Sequence, residues 1–572
     1  MANYLYIIVS KDDEAKVDSF LFSENSLVDE DIFKDKYGDN IRYYISFKVA
    51  EDISNNKSIF KGYSIDYDNK TINFTSENAS KALKEGSLEG CYLFIEQLEH
   101  RVTISNDCFS QLPLLFFAGL NCFACSDSLY VLYMLRKSLG LSIDKDIRGI
   151  KSRAWVNSIT NQLLSDRTPL ASIKYVPPNN FLEVNVYNGR PYAKLKQPKA
   201  ILSKDFYSYA SLTRRAAISI RSLISSVLEA YPISLSLSGG LDSRVILASA
   251  IKCKAFHNLS IGTNQSLESD FNIVTELSSK FGFEFNSREK YLSTKTKKID
   301  QLSTYILLSC GIYDSIYCPS TIPEQSLPIP VTGHGAELFK GNYGLRSIDN
   351  VAKDCTMNQT LFLEELDRGV HQLNHEVNYE LSSELHYLGY RNSLHGARAT
   401  IFSLYSLRPL MHKPLVDYFT NNILVNIEER KSIVNDLLIL LSPELAASRF
   451  DSEKKNLNQD YINSRLLFLG GEVEEEECFK FSIIGEPNRK GHSISSFFLN
   501  MAKSEGYSGD LKFTSLEPLI YSTSLHINSE FKTEIKYWRE ILEPLKNPKT
   551  NKTERHNMVI GKILSANIYG LD

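Results

Sequence analysis

The run "SLSGGLDSRV", residues 236–245, carries the residue types from which an anion site is built. Ser238, Gly239 and Gly240 put almost no side-chain bulk between two apolar segments, so backbone N–H groups can approach an anion closely. Ser238 and Ser243 add hydroxyl donors. Asp242 would repel a bare phosphate, so its presence points to a bridging Mg2+. The GxxxxGK(S/T) spacing of a Walker loop is absent, and with it the lysine that reaches a γ-phosphate. A site that holds pyrophosphate fits the run better. The competing reading is a tight turn that merely needs small residues.

Such residues act only if flanking elements hold them. "PISLSLS", 232–238, places Ile233, Leu235 and Leu237 on one face, the period of a strand. "DSRVILASAIKC", 242–253, returns to helical spacing. The small residues therefore fall at a strand-to-helix turn, where the helix N-terminus adds a partial positive charge. A long helix is predicted just before, in "FYSYASLTRRAAISIRSLISSVLEA", and helices dominate from about residue 270.

The first 195 residues have a different texture. "YLYIIVS", "IRYYISFKVA", "CYLFIEQLE", "RVTISND" and "NCFACSD" read as strands separated by turn residues. "SLYVLYMLRKSLG" reads as a helix closed by Gly140, and "VPPNN" and "YNGRPY" punctuate a last hairpin between Pro177 and Tyr192. The polar stretch "LKQPKAILSKD" marks a boundary near 195–205. The chain divides into segments 1–200, 201–455 and 456–572. No internal repeat is visible, and Glu474–Glu477 reads as a solvated run.

Bulk properties exclude several classes. A chain of 572 residues favours two or three domains. Hydrophobic residues at 43% and charged residues at 23% are ordinary for a soluble globular protein. A net charge of −4 gives no nucleic-acid footprint. Nine cysteines in so long a chain are no disulfide framework. The lone CxxC, Cys122 and Cys125, has no second pair or histidines at ligand spacing and reads as a buried strand. No segment reaches the ~20 apolar residues of a membrane span, and "MANYLYIIVSKDDE" lacks a basic leader and a long apolar core. A cytoplasmic location is expected.

Ser238 to Ser243 resembles the SGGxDS pyrophosphate loop of the N-type ATP pyrophosphatases, and further stretches resemble the asparagine synthetase branch. "LSIGTNQSLESDFNIVTELSSKFGFEF", 259–285, is similar to that branch's second strand and helix, with Asp270 opening the helix. "VTGHGAELFKGNYG", 331–344, is similar to its GxGxDExFxGY segment. "SLRPLMHKPLVDYFTNNI", 406–423, is similar to its RxP segment and following helix. Residues 88–117 with "CFACSDSLYVL" resemble the class-II glutamine amidotransferase domain that precedes the synthetase. The likeness extends to about residue 455.

The resemblance implies a mixed fold, α/β plus α+β. An Ntn-hydrolase-like β-sandwich with flanking helices would precede a Rossmann-like ATP-pyrophosphatase domain with added helices, and 456–572 would form a helical extension. It implies an ATP-dependent, AMP-forming carbon–nitrogen ligase with ATP and Mg2+. Leu237, Ser238, Gly239, Gly240, Leu241, Asp242 and Ser243 would cradle the phosphates. Ser260, Ile261 and Gly262 would lie beside the adenine, with Gly333 close by, and Asp242 and Glu337 would hold the metal. A carboxylate substrate would be adenylated, then attacked by an amine donor, either a precursor peptide or free ammonia. No nucleic acid or membrane partner is implied, and the oligomeric state stays open.

Departures from the family pattern narrow the reading. A working glutaminase of this class needs cysteine after the initiator methionine, and here that position is Ala2, followed by Asn3. The N-terminal segment would then be a degenerate amidotransferase, as in β-lactam synthetases and lasso-peptide cyclases. Gly333, His334, Gly335, Ala336 and Glu337 cover GxGxD, so Glu337 replaces the metal-binding aspartate. A gapped alignment makes Glu337 the second acid instead. His334 falls where the resemblance places a residue beside the incoming amine, and at a pKa near ~6.5 it would accept the amine's proton. The family's adenylate-stabilising lysine is matched by Lys454 or Lys455. An inactive scaffold, an ammonia-dependent asparagine synthetase and a tRNA-modifying enzyme are the rival readings. The acidic balance and the amidotransferase-like segment count against the last.

Overall fold

Tyr4–Ser10 is aliphatic and aromatic up to its final serine, and it is buried along Tyr4–Val9. A strand with no polar face must be covered on both sides, and this one is. The computed structural model describes residues 4–22, 30–47, 52–54, 58–76, 80–98, 100–198, 208–287, 296–323, 328–373, 379–401, 403–421, 427–487, 496–522, 531–547 and 549–570. Tyr4–Ser10 lies inside a six-stranded antiparallel sheet, between Cys122–Ser126 and Asn40–Phe47. Leu115–Ala118 and Lys174–Tyr175 extend one side, and Glu30–Tyr37 closes the other. Helix Leu129–Ser138 packs on it, capped by Ser128, whose hydroxyl accepts from the Val131 N–H at 3.4 Å. Cys122 and Cys125 are buried strand residues, and all nine cysteines are free.

A second sheet runs Arg190–Lys196, Phe181–Tyr187, Arg101–Asn106, Glu89–Leu98, Ser58–Asp66, Thr71–Asn73, with Asp52–Ser54 paired to Ser58–Asp66. Arg190–Lys196 lies against the first sheet. The turn Asn188–Gly189 has φ of 50° and 73°, the left-handed pair that a two-residue hairpin needs. The C-terminal segment is not purely helical. Ser482–Ile484, from "FSIIG", adds in parallel to Thr71–Asn73 with Ile483 opposite Ile72. The expected extension thus also completes the N-terminal sheet.

Beyond the polar junction at 199–207, which lies outside the described residues, helix Tyr209–Ala230 begins at the Ser208 cap. It packs against Leu241–Ile251, Ile427–Leu441 and Gln459–Leu469. These helices surround a short parallel sheet in the order Leu259–Gly262, Ile233–Ser236, Ile329–Val331. Leu407 bridges to Val331, giving the sheet a further edge.

The C-terminal helix Glu554–Gly570 is locked to the middle of the chain. A Cβ at Gly561 would sit 1.5 Å from the Asp314 carbonyl oxygen. Next to it, buried Lys562 donates to the Thr160 carbonyl at 2.6 Å and pairs with Asp314 at 3.1 Å. Arg153 meets the same carboxylate at 2.6 Å. Burial pushes the Lys562 amine down to about 8. No described helix is long and apolar enough to cross a membrane.

Candidate functional site

The three parallel strands all point their C-terminal ends the same way, so the segments 237–240, 263–267 and 332–336 gather at one edge. Ile233–Ser236 comes first in the chain, its next neighbour lies on one side and the third on the other. That reversal opens a crevice beside the first strand, the place where parallel sheets bind ligands.

The turn at 238–243 lies there. Ser238 and Ser243 hydroxyls are 3.1 Å apart, and the Ser243 oxygen also accepts the Ser238 N–H at 3.1 Å. The Gly240 N–H donates to Ser238 Oγ at 3.3 Å. Asp270 Oδ1 accepts the Gly239 N–H at 2.9 Å. Gly240 caps helix Leu241–Ile251 without a side-chain bond, and Asp242 occupies its first turn. Leu237 donates its N–H to the Gly262 carbonyl at 2.8 Å, which fixes the turn to the neighbouring strand. On that strand Ser260 and Ile261 are buried, paired with Ser234 and Leu235.

Arg244 holds the turn from behind. It is fully buried, donates to the carbonyls of Ser448 and Arg449 at 2.9 and 2.8 Å, and lies 3.8 Å from the Phe450 ring centroid. Asp451 in turn donates its N–H to the Gly239 carbonyl at 3.2 Å. The segment 445–451 therefore backs the glycines. A Cβ at Gly239 would fall 2.9 Å from Asp451 Cβ, so only glycine fits without a shift.

Segment 332–341 closes the other side. Gly333 lies against Asp242 so tightly that a Cβ there would be 2.5 Å from the Asp242 carbonyl carbon. Gly335 has φ of 109° and abuts Met411. Helix Glu337–Lys340 follows, and Lys340 forms an ion pair with Asp242. Arg430 donates to the Leu338 carbonyl at 2.7 Å, and Glu384 accepts the N–H groups of Asn342, Tyr343 and Leu345, so this segment is firmly seated. The Asp242 carboxyl is raised above its usual range, first by burial and then by neighbouring Glu337, while Lys340 and Lys455 oppose the rise.

Asp242, with Glu337 as a neighbouring acid, forms an oxygen donor pair that a divalent cation would relieve. The donor set fits Mg2+, with Lys340 as the present counterion of Asp242. Among the described residues no group of three or more His, Cys, Asp or Glu side chains converges as a metal site.

Lys455 and Lys454 separate here. Lys455 pairs with Asp451 at 2.8 Å and acts on Asp242. Both are exposed, and Lys454 is not among the groups that shift Asp242. Lys340 and Arg244 were missed in the sequence. Lys340 sits three residues beyond Glu337, on the same short helix, and that proximity was the one signal available.

His334 departs from expectation. It is half-buried, with Nε2 3.2 Å from the Asn392 carbonyl and its ring stacked on His395 at 6.3 Å. A carbonyl only accepts, so Nε2 carries the proton and Nδ1 is left as the acceptor. Burial, then Arg408 and Arg391, push its pKa down to about 3. At neutral pH it is an uncharged hydrogen-bonding group with little capacity to store a proton.

Cys91, the first cysteine in the chain, is buried with its thiol pushed up to about 12 by burial. It is no nucleophile. Ala2 lies outside the described residues. No protein-family model matches this chain, and no curated protein matches it.

Proposed function

We propose that the protein is an ATP-dependent amide-forming ligase of the asparagine synthetase kind, with a degenerate amidotransferase-like N-terminal sandwich and a Rossmann-like ATP-pyrophosphatase domain. The observation that supports it most is the juxtaposition of the Ser238–Ser243 turn with Gly333 and the Asp242–Glu337 acid pair at the C-terminal edge of three parallel strands.

In this reading the triphosphate of ATP lies along the N–H groups and hydroxyls of 238–243, with adenine near Ser260, Ile261 and Gly262. A substrate carboxylate oxygen attacks the α-phosphorus. The bond to the β-phosphate oxygen breaks, and pyrophosphate leaves. Asp242 and Glu337 would hold Mg2+, which neutralises charge on the leaving group. Lys340 and Lys455 bring two positive charges to the same crevice, suited to the same developing charge. An amine then displaces AMP from the acyl-adenylate and yields an amide. His334 orients and does not carry the proton, which leaves to solvent. No side chain forms a covalent intermediate; the chain positions reactants and stabilises charge.

A second reading, an inactive scaffold, draws on one observation: Lys340 already neutralises Asp242. The experiment that separates them is carboxylate-dependent exchange of labelled pyrophosphate into ATP over a broad acid panel. A ligase exchanges with at least one acid and releases AMP, not ADP. A scaffold exchanges with none.

A further inference from the structure

Around His334 and His395 three arginines converge, none of them in an ion pair among the described residues. Arg391 and Arg398 come from the segment 387–401, which begins as a π-helical turn at Tyr387–Asn392, and Arg408 comes from the stretch that bridges to Val331. Both Arg391 and Arg398 lie over the Tyr313 ring, at 5.2 and 4.3 Å from its centroid. Arg391 also donates to the Tyr313 hydroxyl, and Arg398 Nη2 is 2.9 Å from His395 Nδ1. Arg408 donates to the Gly396 carbonyl at 2.9 Å. Gly396 is the floor of this cluster. A Cβ there would meet Gln111 Oε1 at 2.7 Å, His334 Nε2 at 2.8 Å and Arg408 Nη1 at 3.0 Å.

The cluster is over-supplied with donors. None of the three arginines forms an ion pair among the described residues. Arg408 Nη1 and Arg398 Nε find no hydrogen-bond partner there. Gln111, 1% exposed, reaches the same place with both amide atoms unpartnered. The nearest acids are committed elsewhere. Asp107, facing Arg408, accepts the N–H groups of Phe109, Gln111 and Leu112. Glu554, facing Arg398, accepts from the Ser315 hydroxyl. Guanidinium groups stay charged at any physiological pH, and an unpaired buried one is costly. Planar forks of this kind match a carboxylate.

We propose that Arg391, Arg398 and Arg408, with Gln111, seat a carboxylate of the acyl substrate other than the one that is adenylated, so that the substrate is a diacid or a peptide bearing an acidic side chain. The assignment rests on the ligase reading. It places the anchor carboxylate beside His334 and His395 and the reacting one beside Asp242. Arg391 and Arg398 are positioning residues, and they set specificity rather than chemistry.

The test is calorimetric titration of the full-length protein with glutarate, and separately with MgATP. Wild type binds one glutarate. Arg391→Gln and Arg398→Gln weaken it at least tenfold and leave MgATP binding unchanged. Arg398→Lys, which keeps the charge and the packing stem, weakens it less and guards against a folding artefact, as do unchanged melting curves. Asp242→Ala loses MgATP and keeps glutarate. Absence of glutarate binding, or equal binding by the arginine variants, overturns the anion seat. Glutarate binding that behaves as expected in a protein that binds no MgATP sinks the ligase reading, and with it the assignment of this anion to an acyl substrate.

Discussion

Gly333→Ala probes the contact on which the site geometry depends. The new methyl would lie 2.5 Å from the Asp242 carbonyl carbon and 2.7 Å from its Cβ and carbonyl oxygen. Ordinary contact begins near 3.4 Å, so the two segments must part by roughly 0.9 Å. The obstructing atoms include backbone, which cannot rotate away. Overpacking of this kind costs about 1–3 kcal/mol, and a misplacement near 1 Å at a reacting centre costs on the order of 100-fold in rate. Calorimetry should show MgATP binding weakened about tenfold or more, equivalent to about 1.4 kcal/mol, and the melting temperature should fall by a few degrees. Gly119→Ala is the control. Its methyl would meet only the Cys122 carbonyl, at 3.6 Å, so stability should change by less than about 0.5 kcal/mol. A Gly333→Ala protein that melts with the wild type and binds MgATP equally well would refute the claim that this contact sets Asp242.

Lys455→Ala should lower pyrophosphate exchange at least tenfold while Lys454→Ala leaves it unchanged, because of these two lysines Lys455 is the one that acts on Asp242; equal effects would remove Lys455 from the site. Gly561→Ala should destabilise by about 4 kcal/mol or more, read as a shift in urea midpoint, since its methyl would occupy the Asp314 carbonyl. Glu89→Gln gives a pH signature. Burial raises the Glu89 carboxyl to about 8 from 4.5, so the ionised form is penalised in the folded state. Wild-type stability from this group is present below about 4.5 and is lost as pH rises through about 8. The stability of Glu89→Gln relative to wild type should therefore climb with pH across that window, by up to about 1.4 kcal/mol per unit. The Lys413 N–H bond at 2.6 Å can be kept by the amide oxygen, and a flat difference would contradict the account.

What the sequence made legible was local. Strand Ile233–Ser236, its glycine turn and helix Leu241–Ile251 lie within 20 consecutive residues, and apolar spacing alone exposes them. The Asn188–Gly189 hairpin was visible for the same reason. Strand Glu30–Tyr37 was not, because "EDIFKDKY" sits at a sheet edge and carries charge along its length. Ser58–Asp66 was hidden by Gly62 and by Lys61, which is buried and donates to Ser46 Oγ at 2.6 Å. At Gly62 a Cβ would strike the Cys91 carbonyl at 2.0 Å, so the glycine marks close strand approach rather than a turn.

The site followed the same division. Asp242 and Gly239 stand out in sequence, whereas Lys340 reaches Asp242 across 98 positions, and Gln111 and Arg408 come up against Gly396 from distant parts of the chain. His334 was readable as a residue of interest, but its weak basicity comes first from burial and then from Arg408 and Arg391, which no local pattern places beside it.

The central claim is that the turn at 238–243 receives the phosphates of ATP. It is tested most directly by the structure of the protein with magnesium and α,β-methylene-ATP, whose α–β linkage cannot be cleaved. The account predicts phosphate oxygens within hydrogen-bond distance of the 238–243 N–H groups and hydroxyls, with Asp242 and Glu337 on the metal and Lys340 turned from Asp242 toward the phosphates. A nucleotide found elsewhere, with the Lys340–Asp242 pair intact, would contradict it.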